Sequence, residues 1–486
     1  MAETTARELQ GSGVRPRRAA ERLREAILER LGTLQRERGL TRLDAARELF
    51  GGVVMESAAL ENLVAGLLSG GHTLVLGPSG SGKTLLAKAI WDLFPRDVLA
   101  VADCPVQDDP WSLLDEAFAR KVPPCPFCTH RHGEAGKIRP EDIPVRRLRL
   151  REGHGLARIQ GSAEVFPDNL TGSVNLARLE EVGDPTSPLV LEPGKVLQAH
   201  RGMLFVDEVG KLPRGTQNVL LQALQEGIVT PAKSRETFPA DIVAVATTNV
   251  RDLGAITEPL SDRLAHALLA LPRSHRANRR IVDLGLGAQD DGPPVPGPYR
   301  DVAVELMTRW RTKGPGTEDL AEVASNRTLV EMLRRARGYA LLAGAAQLEP
   351  EDLRRGARDA MRGRVRARSQ EEFDRNQGIV EGFVEAQWQD AARAGATQYW
   401  CRFSEGELKG DRAEAARVLE AVRAAAEAAK ADPEAWRTRL RQDGDAKLRR
   451  FGDFVRGEER VGKDEAAAAV PAVYRALEGL GAFAKA

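Results

Sequence analysis

The chain is poor in cysteine, in aromatic residues and in net charge. It has four cysteines in 486 residues, too few for a disulfide-stapled scaffold, so a reducing compartment is expected. Aromatic residues make up 5%, which leaves Leu, Val, Ile and Ala to fill the cores. The formal net charge is +1, although 29% of residues are charged. A global electrostatic case for binding nucleic acid or an anionic membrane is therefore absent. No uninterrupted apolar run reaches membrane-spanning length. Met1–Arg24 is polar and Arg-rich, without the apolar stretch of a secretory signal, so a cytoplasmic location is expected. What remains is enough length for two to four domains and 42% hydrophobic residues to give them cores.

The most informative stretch is Gly77-Pro78-Ser79-Gly80-Ser81-Gly82-Lys83-Thr84. The apolar run Thr73–Leu76 precedes it, and Leu85–Ile90 follows with helical character. Strand, glycine loop and helix in that order form a phosphate-binding loop. The glycines let backbone N–H groups turn inward, and the helix N-terminus adds partial positive charge. Lys83 would reach the β- and γ-phosphates, and Thr84 would bind Mg²⁺.

Further along, Met203-Leu204-Phe205-Val206 runs into Asp207-Glu208. A buried strand that delivers two acids at its C-terminal end suits metal and water chemistry. Asp207 would hold Mg²⁺ through water, and Glu208 would polarise the attacking water. The strand Ile242–Ala246 leads to Thr247-Thr248-Asn249, which would set an amide between the γ-phosphate and that water. In Leu260-Ser261-Asp262-Arg263, Arg263 reads either as a finger for a neighbouring subunit's phosphates or as a surface partner of Asp262. Arg327, at the helix start Ser325-Asn326-Arg327, reads as a γ-phosphate contact or as an exposed helix arginine.

Strand-like runs at Thr73–Leu76, Val98–Ala102, Met203–Val206, Ile242–Ala246 and Ala267–Leu271 alternate with helical segments. This predicts an α/β fold with a mainly parallel sheet. Helical spacing covers Arg17–Arg38, then Val302–Arg311, Thr328–Ala343 and Pro350–Val365 after a Gly/Pro-rich linker at Gly285–Pro298. From Gln370 onward the chain is rich in Ala, Arg and Glu with no strand signal. Asp432-Pro433-Glu434 has the form of a helix start. Trp388, Tyr399, Trp400, Phe403, Trp436, Phe451 and Phe454 are expected to fill the core of this last region, and Cys401 is placed there with them.

Taken together, these residues resemble the AAA+ ATPases, and most closely the MoxR ATPases and the ATPase (I) subunit of magnesium chelatase, in the helix-2-insert clade. The similarity covers about residues 50–365. Gly51–Thr84 looks like the family's opening segment. Gly161–Phe166 with Leu170–Asn175, and Leu191–Gly202, resemble the two flanks of the helix-2 insert. Leu224–Gly227 and Ile228–Pro239 resemble the hairpin before sensor 1. The resemblance implies a P-loop domain with a parallel sheet, followed by an α-helical lid. Here an extra α-helical region comes after the lid. Domains are expected at 1–45 (helical extension), 46–275 (α/β nucleotide-binding, with an insertion at about 104–160), 276–366 (lid) and 367–486 (helical). By the resemblance, Lys83 and Thr84 belong to Walker A, Asp207 and Glu208 to Walker B, Asn249 to sensor 1, Arg263 to the arginine finger and Arg327 to sensor 2. Leu264 stands where the family has Phe, which leaves Arg273 as a second candidate finger. The resemblance also implies ATP and Mg²⁺ as cofactors, a hexameric ring, and remodelling of a protein client with a von Willebrand A protein in trans. No Asp-x-Ser-x-Ser motif occurs in this chain.

Cys125-Pro-Phe-Cys128-Thr-His130-Arg-His132 is unusual for that family. Its spacing suits a structural Zn²⁺, with Cys104 joining Cys125, Cys128, His130 and His132. A reduced surface pair with solvated histidines, or a redox disulfide, are the other readings. Arg131, Lys137, Arg139, Arg146, Arg147, Arg149 and Arg151 form a basic run nearby. It reads as a solvated face balanced by Glu141, Asp142 and Glu152, or as a site for an acidic client or nucleic acid. The expected function is a ring-forming, Mg²⁺-dependent ATPase of MoxR-chaperone type. A magnesium or cobalt chelatase motor and a nucleic-acid motor are the alternatives.

Overall fold

The structure is a computed structural model describing residues 4–5, 15–102, 104–133, 143–231, 234, 236–287, 293–431 and 446–483. Lys137, Arg139, Glu141, Asp142, the helix start at Asp432 and Trp436 lie outside the described residues. The chain divides into two compact units, Met1–Ala270 and Leu271–Ala486.

The first unit opens with three helices, α1 (Ala19–Arg38), α2 (Arg42–Leu49) and α3 (Ser57–Leu68). In α1, Leu23, Ile27 and Leu31 recur every fourth residue and are buried. Gly39 ends the helix at φ 63°, a left-handed conformation that glycine adopts without penalty. The helix packs into the same core as the phosphate-loop helix α4 (Lys83–Leu93), whose Leu86, Ile90 and Trp91 are buried. Each such aliphatic side chain contributes about 1.5–3 kcal/mol by leaving water. The α1 start is fixed by polar contacts too. The Ala19 N–H donates to Asp241 Oδ2 at 2.8 Å, and Arg22 donates to the Arg201 carbonyl.

The central sheet is built from β1 (His72–Leu76), β4 (Gly155–Gln160), β5 (Met203–Asp207), β6 (Val243–Thr248) and β7 (Leu264–Leu268). Its order is β7-β1-β6-β5-β4, with the two-residue strand Arg151–Glu152 at the β4 edge, and every pairing is parallel. β5 and β6 are buried at every position, the signature of central strands covered on both faces. The register pairs Thr248 with Leu76 and Ala246 with Val206. The C-terminal ends of β1, β6 and β5 therefore finish at one edge, where open α/β sheets bind ligands.

Two strands depart from expectation. β2 (Asp97–Val101), expected in the parallel sheet, pairs antiparallel with β3 (Pro144–Arg149) instead. The two form a separate three-stranded sheet with Thr4–Thr5. The basic run supplies β3, whose Val145 is buried while Arg147 and Arg149 are exposed. Strand β4 lies inside the stretch expected as an insertion, yet it is a full member of the central sheet. The last strand, β7, begins at Leu264, three residues earlier than the apolar run suggested.

The second unit is helical among its described residues: α7 (His275–Leu286), α8 (Gly297–Lys313), α9 (Asn326–Leu342), α10 (Pro350–Arg362), α11 (Gln370–Gly406), α12 (Arg412–Ala431), α13 (Ala446–Glu459) and α14 (Lys463–Gly479). One hydrophobic core runs through it from Val282 to Phe483. Trp388, Tyr399, Phe403 and Phe451 are buried in that core, and Cys401 is half-buried. Helices α8 and α11 approach so closely at Gly395 that a Cβ there would sit 2.6 Å from the Val302 Cα. No helix among the described residues is long and apolar enough to cross a membrane.

Candidate nucleotide-binding site

The loop Gly77–Gly82 joins β1 to α4 at the ligand edge of the sheet. Gly80 (φ 72°) and Gly82 (φ 102°) take left-handed conformations that turn the loop back on itself. Gly77 is pinned for a different reason: a Cβ there would lie 2.4 Å from the Leu269 carbonyl oxygen on the chain leaving β7. Ser81 Oγ is buried without a hydrogen-bond partner. A loop with left-handed glycines and an unsatisfied buried hydroxyl fits a bound phosphate, which supplies the missing acceptor.

Lys83 folds over this loop. Its Nζ donates to the carbonyls of Gly77 (2.8 Å) and Pro78 (2.9 Å) and to Asn249 Oδ1 (2.9 Å). The contact to Asn249 joins the glycine loop to the end of β6. Asp207 lies beside them. Its Oδ1 accepts from Thr247 Oγ1 (2.6 Å), and its Oδ2 from Arg158 (2.8 Å) and, more weakly, from Thr84 Oγ1 (3.4 Å). A hydroxyl and a carboxylate in this relation suit a hard cation that keeps several waters. Glu208 follows in a left-handed conformation (φ 56°), and its N–H donates to Thr247 Oγ1 (3.0 Å). Its carboxylate Oε2 accepts from Lys211 Nζ (2.8 Å) and Gln160 Nε2 (3.2 Å).

The structure thus gathers Lys83, Thr84, Asp207, Glu208 and Asn249. Arg263 is exposed in the turn before β7 and makes no ion pair with Asp262. Arg327 is exposed in the first turn of α9, and Arg273 is exposed as well; both belong to the second unit. Arg158, Gln160, Thr247 and Lys211 were not anticipated as site residues. Arg158 and Gln160 sit two apart on β4, on the face that meets the end of β5. Only the pairing of these strands reveals them.

Residues 186–265 match the family model of the sigma-54 interaction domain. The chain is 26% identical over 284 residues to the chloroplastic magnesium-chelatase subunit ChlI of Chlamydomonas reinhardtii, covering 56% of this chain and 61% of that one. It is 24% identical over 350 residues to ChlI of Nephroselmis olivacea, covering 68% and 90%. The chain is thus similar to the ATPase subunits of magnesium chelatase. Among solved structures, a model of the complex between subunits BchI and BchD of magnesium chelatase covers 68% of this chain and 98% of its own, at 21% identity and a TM-score of 0.32.

The cysteine motif is arranged differently from its expected form. Cys104, Cys125 and Cys128 are buried together with Asp108, but His130 and His132 do not join them. The short helix α5 (Pro126–His132) explains why. His130 lies two residues from Cys128, which turns it to the opposite side. There its ring is 60% exposed, with Nε2 3.7 Å from Glu236. His132 is half-exposed.

Proposed function

We propose that this chain is a Mg²⁺-dependent ATPase that works as a hexameric ring and that remodels or activates a protein client in the manner of a MoxR chaperone. The observation that carries this reading is the meeting of Lys83, Thr84, Asp207, Glu208 and Asn249 at one end of the central sheet. When bound, Mg²⁺ supplies charge neutralisation between the phosphates. Lys83 would release the loop carbonyls to hold the β- and γ-phosphates. Thr84 and Asp207 would hold the ion, Asp207 through water. Glu208 would take the proton of the attacking water, with Asn249 fixing that water's position. Arg263, exposed and free of Asp262, would reach the γ-phosphate of the neighbouring subunit. A von Willebrand A protein in trans would link the ring to its client. The helical region beyond the lid supports the chaperone reading, because it adds a body that a plain motor does not need.

The ChlI relatives favour a second reading, the ATPase motor of a magnesium or cobalt chelatase. Turnover and capture assays separate the two. Lys83→Ala is expected to abolish nucleotide binding. Glu208→Gln should bind ATP while turning over about 10²-fold or more slowly. Arg263→Ala should bind ATP but not hydrolyse it, and mixing it with Glu208→Gln protein should restore part of the activity. Absence of rescue at any mixing ratio would remove the finger from Arg263. Glu208→Gln protein held in ATP should capture a von Willebrand A protein together with its client complex. Capture of a large chelatase subunit instead would establish the motor reading, and capture of nucleic acid alone would overturn both.

A further inference from the structure

Three of the four cysteines meet at one buried point. Cys104 lies in the turn after β2, Cys125 is the N-cap of α5, and Cys128 sits in the first turn of that helix. One ligand atom from each of Cys104, Asp108, Cys125 and Cys128 lies within 4.8 Å of all the others. The Cys104 and Cys125 sulfurs are 3.7 Å apart. A disulfide needs about 2.0 Å. Two sulfurs on one tetrahedral zinc, each about 2.3 Å from the ion, lie about 3.8 Å from each other. The spacing is that of ligands around an ion.

The backbone is arranged for thiolates. The Asp108 N–H donates to Cys104 Sγ (3.3 Å), and the Cys128 N–H to Cys125 Sγ (3.4 Å). Gln107 takes a left-handed conformation (φ 61°), and its N–H donates to the Cys104 carbonyl (3.2 Å). That turn brings Asp108 back onto the cysteines.

Asp108 provides an independent observation. Its side chain is 1% exposed. Oδ2 accepts from the Cys125 N–H (2.6 Å), while Oδ1 has no hydrogen-bond partner. A buried carboxylate oxygen without a partner is costly unless a cation meets it. Across from it, His200 is fully buried. Its Nδ1 accepts from the Asp241 N–H (3.1 Å), which assigns the proton of the neutral ring to Nε2. That Nε2 also lacks a partner and lies 4.0 Å from Asp108 Oδ1.

We propose that Cys104, Cys125, Cys128 and Asp108 hold one structural Zn²⁺, that His200 orients the Asp108 carboxylate from outside the ligand sphere, and that the ion fastens the loop after β2 to the turn that feeds the Walker B strand. On binding, the cysteine thiols give up their protons to solvent and the thiolates ligate the ion. The fastening is a double one. Asp108 faces His200, and the next residue, Asp109, forms an ion pair with Arg201 at 2.6 Å. Both partners lie just ahead of β5, at whose end Asp207 stands. His200 thus faces the carboxylate from 4.0 Å, within reach of the outer-sphere part that neighbours play around metal ligands once the ion is bound. A Cys104–Cys125 disulfide would leave Cys128 and the free Asp108 oxygen without a role. The ion accounts for all four groups.

The test is metal analysis of the purified full-length protein. About one zinc per chain is expected. It should be retained in His130→Ala, His132→Ala and Cys401→Ala, lost in Cys128→Ser and weakened in Asp108→Asn. If Cys128→Ser does not fold, exchange of wild-type protein with Co²⁺ gives the same information. Thiolate-to-cobalt charge transfer and intense tetrahedral d–d bands are expected. A chelator should lower the unfolding temperature of the wild-type protein and leave that of Cys401→Ala lowered equally. Folded, zinc-free protein that gives no cobalt spectrum would overturn the proposal, as would a Cys104–Cys125 disulfide found by peptide mass analysis. Loss of the metal in His132→Ala would overturn the ligand set.

Discussion

Glu208 is held on two sides by side chains that belong to different elements. Lys211 reaches it from three residues ahead, and Gln160 from the neighbouring strand β4. Beneath it the chain is crowded: a Cβ on Gly161 would lie 2.1 Å from the Glu208 carbonyl oxygen, so only glycine fits there. Glu208 has to leave the Lys211 contact to turn toward a water. Lys211 is about half exposed, so its contact contributes at most about 1 kcal/mol. Lys211→Ala should therefore raise ATP turnover by about 2- to 5-fold, in line with that energy. A fall in kcat with unchanged nucleotide affinity would instead mean that Lys211 positions Glu208 for catalysis. Residues of this kind mark the limit of the sequence. Gly77–Thr84 and Met203–Glu208 are legible because each role is carried within one contiguous run. Arg158 and Gln160 become visible only when β4 is set beside β5, across some 50 intervening residues. Asp108 is hidden for a similar reason, since an acid four residues after a cysteine has meaning only once the turn at Gln107 returns it.

At the scale of elements, β1 carries a titrating group at its start. His72 is partly buried; its Nδ1 accepts from the Ala244 N–H on β6 (3.1 Å), and its Nε2 meets the Leu224 carbonyl on α6 (Arg214–Glu226) at 3.3 Å. Accepting at one nitrogen and donating at the other defines a neutral ring. Burial holds its pKa below the usual histidine value. The Leu224 carbonyl opposes that shift, and nearby Arg18 adds to it. The folded state therefore resists a proton that the unfolded chain accepts. Stability from His72 is complete above the unfolded value, near about 6.5, and is lost as the pH falls below it toward the folded value. The unfolding midpoint should drop between about pH 7.5 and 5.5. His72→Gln should lower stability at neutral pH while flattening that dependence; an unchanged slope in the variant would assign the titration elsewhere. The alternating α/β order was readable along this unit because its strands are continuous apolar runs. The place of β2 was not: an apolar run does not say which partner takes its edge, and here the basic strand β3 does so antiparallel.

At the scale of the whole chain, the lid helices and the helices after them share one core and one buried charge network. Asp301 on α8 is fully buried. It pairs with Arg279 of α7 at 3.0 Å and with Arg402 of α11 at 2.7 Å, and Arg402 also reaches Glu458 of α13 at 2.9 Å. Next to it, Arg300 pairs with Glu459 at 3.2 Å, and Glu459 accepts from the Gly297 N–H and from Tyr399. The sequence separates residues 276–366 from 367–486 by resemblance, because the known pattern ends there. The physical packing has no such break, since α8 and α11 lie against each other along their length. Removing one member of a buried network leaves charges without partners, at a cost of about 3–5 kcal/mol. The two ends of the network should not respond equally. Asp301→Ala strips both Arg279 and Arg402 of their common partner, whereas Arg402→Ala leaves Asp301 still paired with Arg279 and removes a side chain that is one-third exposed. Denaturant unfolding should show Asp301→Ala losing about 3–5 kcal/mol and Arg402→Ala clearly less. The Asp301→Ala loss should appear in the transition that reports on Trp388 and Trp400 of α11 as much as in that of Trp310 on α8. Separate transitions, with α11 unaffected, would mean that the terminal helices fold without the lid.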